Sequence, residues 1–332
     1  MTESPLGELS IDPVLDQALA DSLGEVEASL RAAVVSDYPF VTETSRHLVD
    51  AGGKRFRPLL TILASHFGPN PGNANVVKAG VVVELTHLAT LYHDDVMDEA
   101  SLRRGTPSAN ARWDNTVAIL TGDFLFARAS EILADLGPEA VRIQAQTFER
   151  LCTGQIRESV GPDDGVDPVK HHLQVLADKT GSLIATAGRF GTMMAGAEQP
   201  TIDIMSRFGE SIGVAFQLAD DIVDITSDSE QSGKLPGTDL REGVPTLATL
   251  LARSSDDPRD QELVEMLSGP IPDDADHATA LAMLRAHSAL ESAREEARRW
   301  ADDARRTLEP LPDVPAKQAL ATLCEYVVNR TG

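Results

Sequence analysis

Acidic side chains recur in the sequence in a pattern that suits metal binding: two aspartates, two other residues and a third aspartate. Two copies, DDVMD at 94–98 and DDIVD at 220–224, each end a long apolar run. On an α-helix the first and third aspartates are four positions apart and the second and third are three apart, so all three carboxylates lie on one face. Such carboxylates repel one another unless a cation neutralises them, and a helix C-terminus disfavours negative charge.

Mg²⁺ is the cation that these groups favour, because it prefers oxygen ligands and commonly bridges one or two carboxylates to substrate phosphates. Two further copies of the pattern, DDGVD at 163–167 and DDPRD at 256–260, contain Gly or Pro among turn residues. For these copies we expect ordinary solvated surface. The predicted metal ligands are therefore Asp94, Asp95, Asp98, Asp220, Asp221 and Asp224.

Basic side chains near the two motifs predict a site for a diphosphate. The segment GGKRFRP at 52–58 places Lys54 and Arg57 at the start of a predicted helix, where backbone amides and cations together bind anions. His87 stands two turns before Asp94 on the same face and can donate a hydrogen bond to a phosphate. Further candidates beside the motifs are Arg103, Arg104, Lys179, Thr180 and Lys234.

The composition narrows the class of protein. A formal charge of −23 over 332 residues argues against nucleic acid or an anionic membrane surface as the main partner, because both repel an acidic protein at long range. Cys152 and Cys324 are the only cysteines, so neither a disulfide framework nor a cysteine zinc site is expected. The sequence shows no apolar run of signal-peptide length at the N-terminus and no uncharged apolar stretch of about 18 residues after it. We therefore expect a soluble cytoplasmic protein without a stable membrane anchor.

Apolar residues at three- and four-residue spacing predict helices along most of the chain, with few alternating strand patterns. No long linker or internal repeat divides the sequence, so we predict an all-α single domain over residues 1–332, with 1–11 as a flexible tail. We expect a single large helical bundle with its sites in the core. The predicted helices cover 12–35, 39–50, 57–67, 74–98, 115–136, 138–158, 168–178, 181–196, 201–225, 245–253, 260–267, 275–307 and 316–329.

Five ordered motifs give the sequence a family resemblance. It resembles the trans-isoprenyl (polyprenyl) diphosphate synthases, and the wording of HLATLYHDDV looks like the long-chain members that make quinone side chains. The resemblance implies a homodimer of all-α subunits, each with the isoprenoid synthase type I fold around a deep central cavity. The motifs are GGKRFRP, HLATLYHDDVMDEASLRRGTPSANA, the Lys179-Thr180 pair, FQLADDIVDIT, and GKLPGTDLREG followed by PTL.

The resemblance also implies the reaction, which condenses isopentenyl diphosphate with an allylic diphosphate. The allylic diphosphate ionises with the help of about three Mg²⁺ ions per active site, the double bond of isopentenyl diphosphate attacks the cation, and a proton is lost. Lys179, Lys234 and Arg103 are implied to hold the allylic diphosphate, with Thr180 and Gln217 near the cation. The residues implied to bind the diphosphate of isopentenyl diphosphate are Lys54, Arg57, His87 and Arg104.

Product length is expected to depend on the residues one turn below the first aspartates. Farnesyl-type relatives often place aromatic rings at the fourth and fifth positions before the motif, where this chain has Thr90 and Ala89. Small side chains leave the floor of a cavity open, so we expect a product longer than farnesyl, about C30 to C50. A geranylgeranyl product is the alternative, since a neighbouring helix can close the cavity lower down.

Two other functions fit parts of the sequence. A terpene cyclase also uses an aspartate-rich Mg²⁺ site, but such enzymes usually pair it with an Asn/Ser/Glu motif and lack a second-substrate site like that of Lys54 and Arg57. A synthase-like regulatory subunit without chemistry is disfavoured because both aspartate motifs and most cations are present. One departure from the family pattern is Val244, where many relatives carry a Lys, and it lowers the number of cations expected on the allylic side.

Overall fold

The computed structural model describes residues 12–227 and 236–329. Within these ranges the regular structure is helical apart from one antiparallel pair of two-residue strands. The predicted all-α fold class is confirmed. The predicted tail at 1–11 and the candidate cation Lys234 lie outside the described residues.

Sixteen α-helices account for most of the described chain. Up to the second aspartate motif the elements are α1 (Pro13–Ala33), α2 (Pro39–Asp50), α3 (Phe56–Ser65), α4 (Ala74–Met97), β1 (Leu102–Arg103), β2 (Thr106–Pro107), α5 (Ala109–Arg112), α6 (Asn115–Leu136), α7 (Pro138–Val160), α8 (Pro168–Leu176), a π-helical turn (Ala177–Gly181), α9 (Ser182–Met194) and α10 (Gln199–Thr226). The remaining elements are α11 (Thr238–Glu242), α12 (Leu247–Arg253), a 3₁₀ turn (Pro258–Asp260), α13 (Gln261–Met266), α14 (Asp274–Ala286), α15 (Ser288–Thr307) and α16 (Pro315–Asn329).

The chain divides into two compact units. The first aspartate motif belongs to the first unit and the second motif to the second unit. The single domain predicted over 1–332 stays a prediction. As far as they are described, the first unit comprises Met1–Phe148, Leu183–Ser206 and Pro310–Ala319, and the second comprises Glu149–Ser182, Arg207–Glu309 and Leu320–Gly332.

Helix α4 lies in the core of the first unit, where it packs against α1, α3 and α6. It begins at Asn73, whose side chain accepts hydrogen bonds from the backbone amides of Asn75 and Val76 and so satisfies the open helix end. Most side chains between Val76 and Tyr92 are buried, as expected for a helix that is apolar on nearly all sides. Within the described ranges α4 is the one helix long and apolar enough to cross a membrane, but 67% of its most apolar 18 residues is buried inside the protein.

A close approach between α4 and α6 supports the end of α4. Gly122 on α6 lies against the imidazole of His93, and a Cβ atom at this position would overlap the ring. The Nε2 atom of His93 is also 3.1 Å from the carbonyl oxygen of Ile119. The missing side chain at 122 therefore lets the residue just before the first aspartate motif pack directly onto α6.

The second unit is held together by an apolar cluster that joins the C-terminal part of α10 to α12, α14 and α15. Leu218 and Ile225 belong to this cluster and are two helical turns apart on the buried face of α10. They lie on either side of the second aspartate motif in the sequence, so the helix is anchored to the core both before and after its carboxylates.

The two surface copies of the aspartate pattern serve as helix caps. The Asp167 carboxylate accepts from the amides of Val169 and Lys170 at the start of α8. The Asp257 carboxylate accepts from the amide of Arg259 at the 3₁₀ turn. Capping is an ordinary structural use of aspartate, and it gives Asp167 and Asp257 a role beyond the solvated surface expected for these copies.

One predicted helix is wrong in its extent. The segment 275–307 forms two helices, α14 and α15, because the backbone at His287 is extended, with φ −82° and ψ 143°. The imidazole Nδ1 of His287 accepts from the amide of Ala289 and caps α15. The sequence offers neither Gly nor Pro at this break, and the periodic pattern runs on through it.

Candidate active site

The first aspartate motif continues an accessible stripe along α4. Half-buried residues recur every three or four positions, at His87, Thr90, Leu91 and Asp94, among neighbours that are mostly buried. This spacing places them on one face of the helix, and the exposed Asp98 at the C-cap extends it. The structure therefore brings the predicted phosphate donor His87, the predicted product-length residue Thr90 and two predicted metal ligands onto one surface.

Asp95 differs from the other two aspartates of this motif because it is fully buried. Its Oδ1 accepts a hydrogen bond from Nε of Arg103 at 2.6 Å. Burial raises the pKa of Asp95, and the charge of Arg103 opposes that shift. Asp95 thus fixes the predicted allylic cation Arg103 next to the motif, where a charge-assisted bond is strong.

The β1–β2 hairpin sends Arg103 and Arg104 to different partners. Arg104 has a left-handed backbone, with φ 53°. Its Nη1 donates to the carbonyl oxygen of Leu48 at 3.0 Å and to that of Gly52. A Cβ atom on Gly53 would lie 2.9 Å from the Arg104 guanidinium carbon. The Gly-Gly turn of the GGKRFRP segment is therefore shaped around this arginine.

A buried ionic cluster lies beside the Gly-Gly turn. Arg55, with a left-handed φ of 47°, donates from Nη1 to Oε1 of Glu84 at 2.8 Å and also pairs with Glu27. Arg104 approaches the same Glu84 oxygen at 3.8 Å. Only 2% of the Glu84 side chain is exposed. Because a buried carboxylate needs partners of opposite charge, Glu84 holds the arginines together.

Burial lowers the pKa of Arg57 to about 10, while the nearby Glu84 charge raises it. Arg57 is half-buried and consequently stays protonated at neutral pH. Lys54, its predicted partner in anion binding, is exposed. Glu84 is not among the predicted site residues, although a lone acidic residue inside the apolar run VVVELTHLA is a signal for a buried ion pair.

His87 is a neutral group in this arginine-rich surrounding. Burial lowers its pKa well below the usual range, and the positive charges of Arg57 and Arg104 lower it further. A neutral imidazole still carries one N–H donor. The structure therefore brings His87, Arg57 and Arg104 into mutual electrostatic range, as the predicted site for isopentenyl diphosphate requires, with His87 as an uncharged donor.

The second aspartate motif contains a chain of hydrogen bonds. Nε2 of Gln217 donates to Oδ1 of Asp221 at 3.0 Å, and the Thr180 hydroxyl donates to Oε1 of Gln217 at 3.3 Å. Asp221 has 13% of its side chain exposed. Burial raises its pKa to about 8, and the charges of Asp239 and the other two motif aspartates add to the effect. The predicted residues Thr180, Gln217 and Asp221 therefore form one connected group.

Asp224 binds the segment that follows the motif. Its two carboxylate oxygens accept from the amides of Thr238 and Asp239, each at 3.2 Å, and its carbonyl oxygen accepts from Gly237 at 2.8 Å. These bonds bring Asp239 close enough to influence the pKa of Asp221. Asp239 is not among the predicted site residues, although it stands in the motif GKLPGTDLREG.

The π-helical turn presents Lys179 and Thr180 as neighbours. Nζ of Lys179 lies 2.5 Å from Oε2 of Glu158, and both side chains are about one-third exposed. A π-turn inserts an extra residue into a helix and often marks a functional site. The predicted allylic cation Lys179 thus has a carboxylate partner within the second unit.

The two predicted product-length residues have different surroundings. Thr90 is half-buried on the accessible stripe, and its hydroxyl donates to the carbonyl oxygen of His87 at 2.8 Å. Ala89 is fully buried and lies off that stripe. Their role in product length stays a prediction.

The donor chemistry of both motifs fits Mg²⁺. Among the described residues, no three His, Cys, Asp or Glu side chains are gathered so as to hold a metal ion by themselves. Mg²⁺ needs only one or two carboxylates when waters and phosphates complete its shell. Oδ2 of Asp95 is a buried acceptor with no hydrogen-bond partner among the described residues. An oxygen-rich, cysteine-free set of this kind suits a hard cation.

Comparison with known proteins decides the family. Residues 38–284 match the family model described as Polyprenyl synthetase. The chain belongs to this family. It is 50% identical over 321 residues to nonaprenyl diphosphate synthase from Mycobacterium tuberculosis, a match that covers 97% of this chain and 96% of the relative.

Solved structures agree with this polyprenyl synthetase assignment. Geranylgeranyl pyrophosphate synthase from Corynebacterium glutamicum, complexed with calcium and isoprenyl diphosphate, has a TM-score of 0.88 and 47% identity, covering 97% of this chain and 98% of that chain. Decaprenyl diphosphate synthase from Rhodobacter capsulatus has a TM-score of 0.86 and 34% identity, covering 96% and 98%. The predicted family and the isoprenoid synthase fold are confirmed, and the chain is an enzyme, a trans-prenyltransferase.

Proposed function

We propose that this polyprenyl synthetase elongates an allylic diphosphate with isopentenyl diphosphate in a Mg²⁺-dependent reaction. The observation that carries the proposal is the accessible stripe of α4. It ends in carboxylates suited to metal binding and includes a neutral donor, His87, within electrostatic range of half-buried arginines. One anion-binding group and one metal-binding group on the same helix fit two diphosphate substrates.

The metal-binding role falls to the two aspartate motifs. We propose that Asp94, Asp98 and Asp220 are direct ligands, with Asp95, Asp221 and Asp224 as ligands or supports. Bound Mg²⁺, about three ions per site, supplies charge neutralisation for the allylic diphosphate as it leaves. The supporting role suits Asp95, which is held by Arg103, and Asp221, which is held by Gln217. Each contact fixes a carboxylate beside an exposed or half-buried aspartate of the same motif.

Cations of the chain stabilise the same departing diphosphate. Lys179 and Arg103 are held by carboxylates at 2.5 and 2.6 Å, so their charges are fixed before substrate binds. Preorganised charge of this kind acts without reorganisation when negative charge develops. Lys234 is proposed for the same role. Val244 supplies no cation where many relatives have one.

The diphosphate of isopentenyl diphosphate is proposed to bind Lys54, Arg57, His87 and Arg104. Glu84 neutralises part of the charge of this group but leaves a net positive charge, since more than one arginine surrounds it. Lys54 is exposed and can move to the ligand. A site with one mobile and several fixed cations suits a diphosphate that enters and leaves at each cycle.

The carbon chemistry needs no protein nucleophile. Ionisation of the allylic C–O bond leaves a cation, the double bond of isopentenyl diphosphate attacks it, and a proton is lost to the released diphosphate. Thr180 and Gln217 provide oxygen dipoles near the cation, and their mutual hydrogen bond at 3.3 Å holds both in place. Fixed dipoles stabilise a developing positive charge more effectively than mobile water.

We propose a product of about C30 to C50, with Ala89 and Thr90 as determinants of its length. The 50% identity to a nonaprenyl diphosphate synthase supports a long product. The structural relative named geranylgeranyl pyrophosphate synthase keeps the shorter product as the second candidate, at 47% identity. The small Thr90 side chain on the accessible stripe favours the longer one.

The assembly proposed is a cytoplasmic homodimer without a membrane anchor. Helix α6 in the first unit exposes Ile119 and Leu120, at 42% and 61%. Large apolar side chains in adjacent positions on a surface favour burial by a partner. The abundance of acidic residues disfavours anionic membranes as that partner.

The decisive experiment incubates the purified protein with Mg²⁺, labelled isopentenyl diphosphate and allylic primers of increasing length, and sizes the products. We expect elongation that stops when a chelator removes the metal and resumes when Mg²⁺ is restored. If no primer is elongated at any Mg²⁺ concentration, the proposed function is wrong. Sizing the products also separates the long-chain candidate from the geranylgeranyl one.

A further inference from the structure

The π-helical turn that carries Lys179 and Thr180 is held by a buried carboxylate with no assigned role so far. Asp178 precedes Lys179 in this turn, and only 6% of its side chain is exposed. Its Oδ1 accepts from Nε of Arg150 at 2.8 Å. Its Oδ2 accepts from Nη1 of Arg157 at 2.5 Å and from Nε2 of Gln174 at 3.0 Å. Both oxygens are therefore bound by charged or polar donors.

The two arginines reach Asp178 from one face of α7. Arg150, Gly154 and Arg157 are separated by four and three positions, so they lie on a common face. A Cβ atom on Gly154 would stand 2.8 Å from the amide nitrogen of Lys179 and 3.0 Å from Cβ of Asp178. Gly154 thus lets α7 lie directly against the turn, and Arg150 and Arg157, on either side of this glycine, both bind Asp178.

The backbone of the turn is bound as well. Nη2 of Arg150 donates to the carbonyl oxygen of Ala177 at 3.3 Å, and the Ser182 hydroxyl donates to the carbonyl oxygen of Asp178 at 2.6 Å. A π-turn is rare because its hydrogen-bond geometry is less favourable than that of an α-helix. It persists where the surroundings determine it, and here side chains of α7 do so.

We propose that Asp178 is a positioning residue that fixes the π-helical turn and thereby aims the Lys179 ammonium group and the Thr180 hydroxyl at the allylic substrate. This role rests on the proposed function. Asp178 contacts no substrate group itself, because both of its oxygens face arginine and glutamine side chains of its own unit. Its effect passes through the position of the next two residues.

The test compares Asp178→Asn with Glu210→Gln. Glu210 is the matched control because it also binds Arg150, at 2.8 Å, but it belongs to α10 and not to the turn. Each variant removes one negative charge from the same arginine. Asp178→Asn leaves two guanidinium groups without their shared carboxylate, and a lost charged hydrogen bond in such a site commonly costs about tenfold or more.

The first measurement is hydrogen exchange of the wild type and both variants, followed in peptides that cover residues 177–182. We expect exchange in these peptides to become faster in Asp178→Asn by about tenfold or more and to stay near wild type in Glu210→Gln. Unchanged exchange in Asp178→Asn would show that the carboxylate does not hold the turn. This measurement needs no catalysis, so it stays informative even if the wild type fails to elongate any primer.

The second measurement is steady-state kinetics for each substrate. Asp178→Asn is expected to lower kcat/KM for the allylic diphosphate by about tenfold or more, with the KM for isopentenyl diphosphate changed less than about twofold. Glu210→Gln should be close to wild type for both substrates. A faster-exchanging turn with unchanged allylic kinetics overturns the positioning role, and so does an equal loss for both substrates. An inactive wild type instead refutes the proposed function.

Discussion

The middle aspartates of the two motifs share a sequence pattern but not an electrostatic setting. Asp95 is completely buried and has the Arg103 guanidinium at 2.6 Å. Asp221 has 13% of its side chain exposed, and its carboxylate accepts a hydrogen bond from the neutral Gln217 amide. Burial raises its pKa to about 8, and its acidic neighbours add to this shift. The middle carboxylate of the first motif therefore has an arginine beside it, whereas the middle carboxylate of the second motif favours its protonated form until a metal cation binds.

Removing the outer carboxylates should have the largest effect and should be alike in both motifs. Asp94→Ala and Asp220→Ala are each expected to lower turnover by about a hundredfold or more, because each deletes a proposed metal ligand from a charge-stabilised reaction. Incorporation of labelled isopentenyl diphosphate measures the loss, and circular dichroism checks the fold.

The matched control for this prediction is Asp164→Ala. Asp164 belongs to the exposed copy of the pattern at 163–167, and the same substitution there should leave turnover unchanged. Wild-type turnover in either of the first two variants would contradict the metal assignment of that motif.

Removing the internal counterion should destabilise the first motif. Arg103→Met leaves Asp95 buried without its charged partner, and we expect the free energy of unfolding to fall by about 2–3 kcal/mol, given that Arg103 is 29% exposed. Urea denaturation measures this change. The double variant Arg103→Met/Asp95→Asn should recover part of the loss, and a double variant as unstable as the single one would argue against the pair.

In the absence of metal, Asp221→Asn is expected to stabilise the protein relative to wild type as the pH rises, in contrast to the destabilising Arg103→Met. The folded pKa of Asp221 is about 8, against a usual value of 3.8, so the folded state holds a proton that the unfolded state releases. Stability from this group is present at low pH and lost as the pH rises from about 4 to 8. The asparagine variant lacks this loss. Its Tm relative to wild type should therefore rise between pH 5 and pH 8, and a constant difference would contradict the assigned environment.

Each aspartate motif also has a neutral histidine near it. Burial lowers the pKa of His172, near Asp221, to about 4, and burial together with several arginines lowers the pKa of His87. His87→Gln preserves an uncharged donor and should keep the KM for isopentenyl diphosphate within a fewfold. His87→Leu should raise that KM by about tenfold. Equal effects of the two variants would show that the donor does not contribute.

Product length should respond with the smallest change in rate. Thr90→Phe adds a ring on the accessible stripe of α4 and is expected to shorten the product while turnover changes less than about tenfold. Ala89→Phe is also expected to shorten it, but Ala89 is fully buried, so its ring must displace neighbours and should also lower the Tm. Chromatographic sizing of the products measures both, and an unchanged length in both variants would refute this floor.

Local patterns in the sequence predicted most of the helices and the character of the aspartate motifs. The apolar spacing located most helices, and the turn residues around 163–167 and 256–260 separated two structural caps from the two motifs that end apolar helices. The helix break at His287 was not predicted, because the cap is an imidazole in an otherwise periodic segment. The roles of Glu84 and Asp178 were not predicted, because the partners of these buried carboxylates are arginines distant in sequence.

The π-helical turn also has a consequence for how the chain tolerates length changes. Inserting or deleting one residue in an α-helix rotates the residues that follow by about 100° about the helix axis. The π-helical turn at Ala177–Gly181 contains one such extra residue. A single-residue deletion there permits an ordinary α-helix with better backbone hydrogen bonds, yet it turns Lys179 and Thr180 to another side. Alignments that close this position with a gap would therefore pair residues of different orientation.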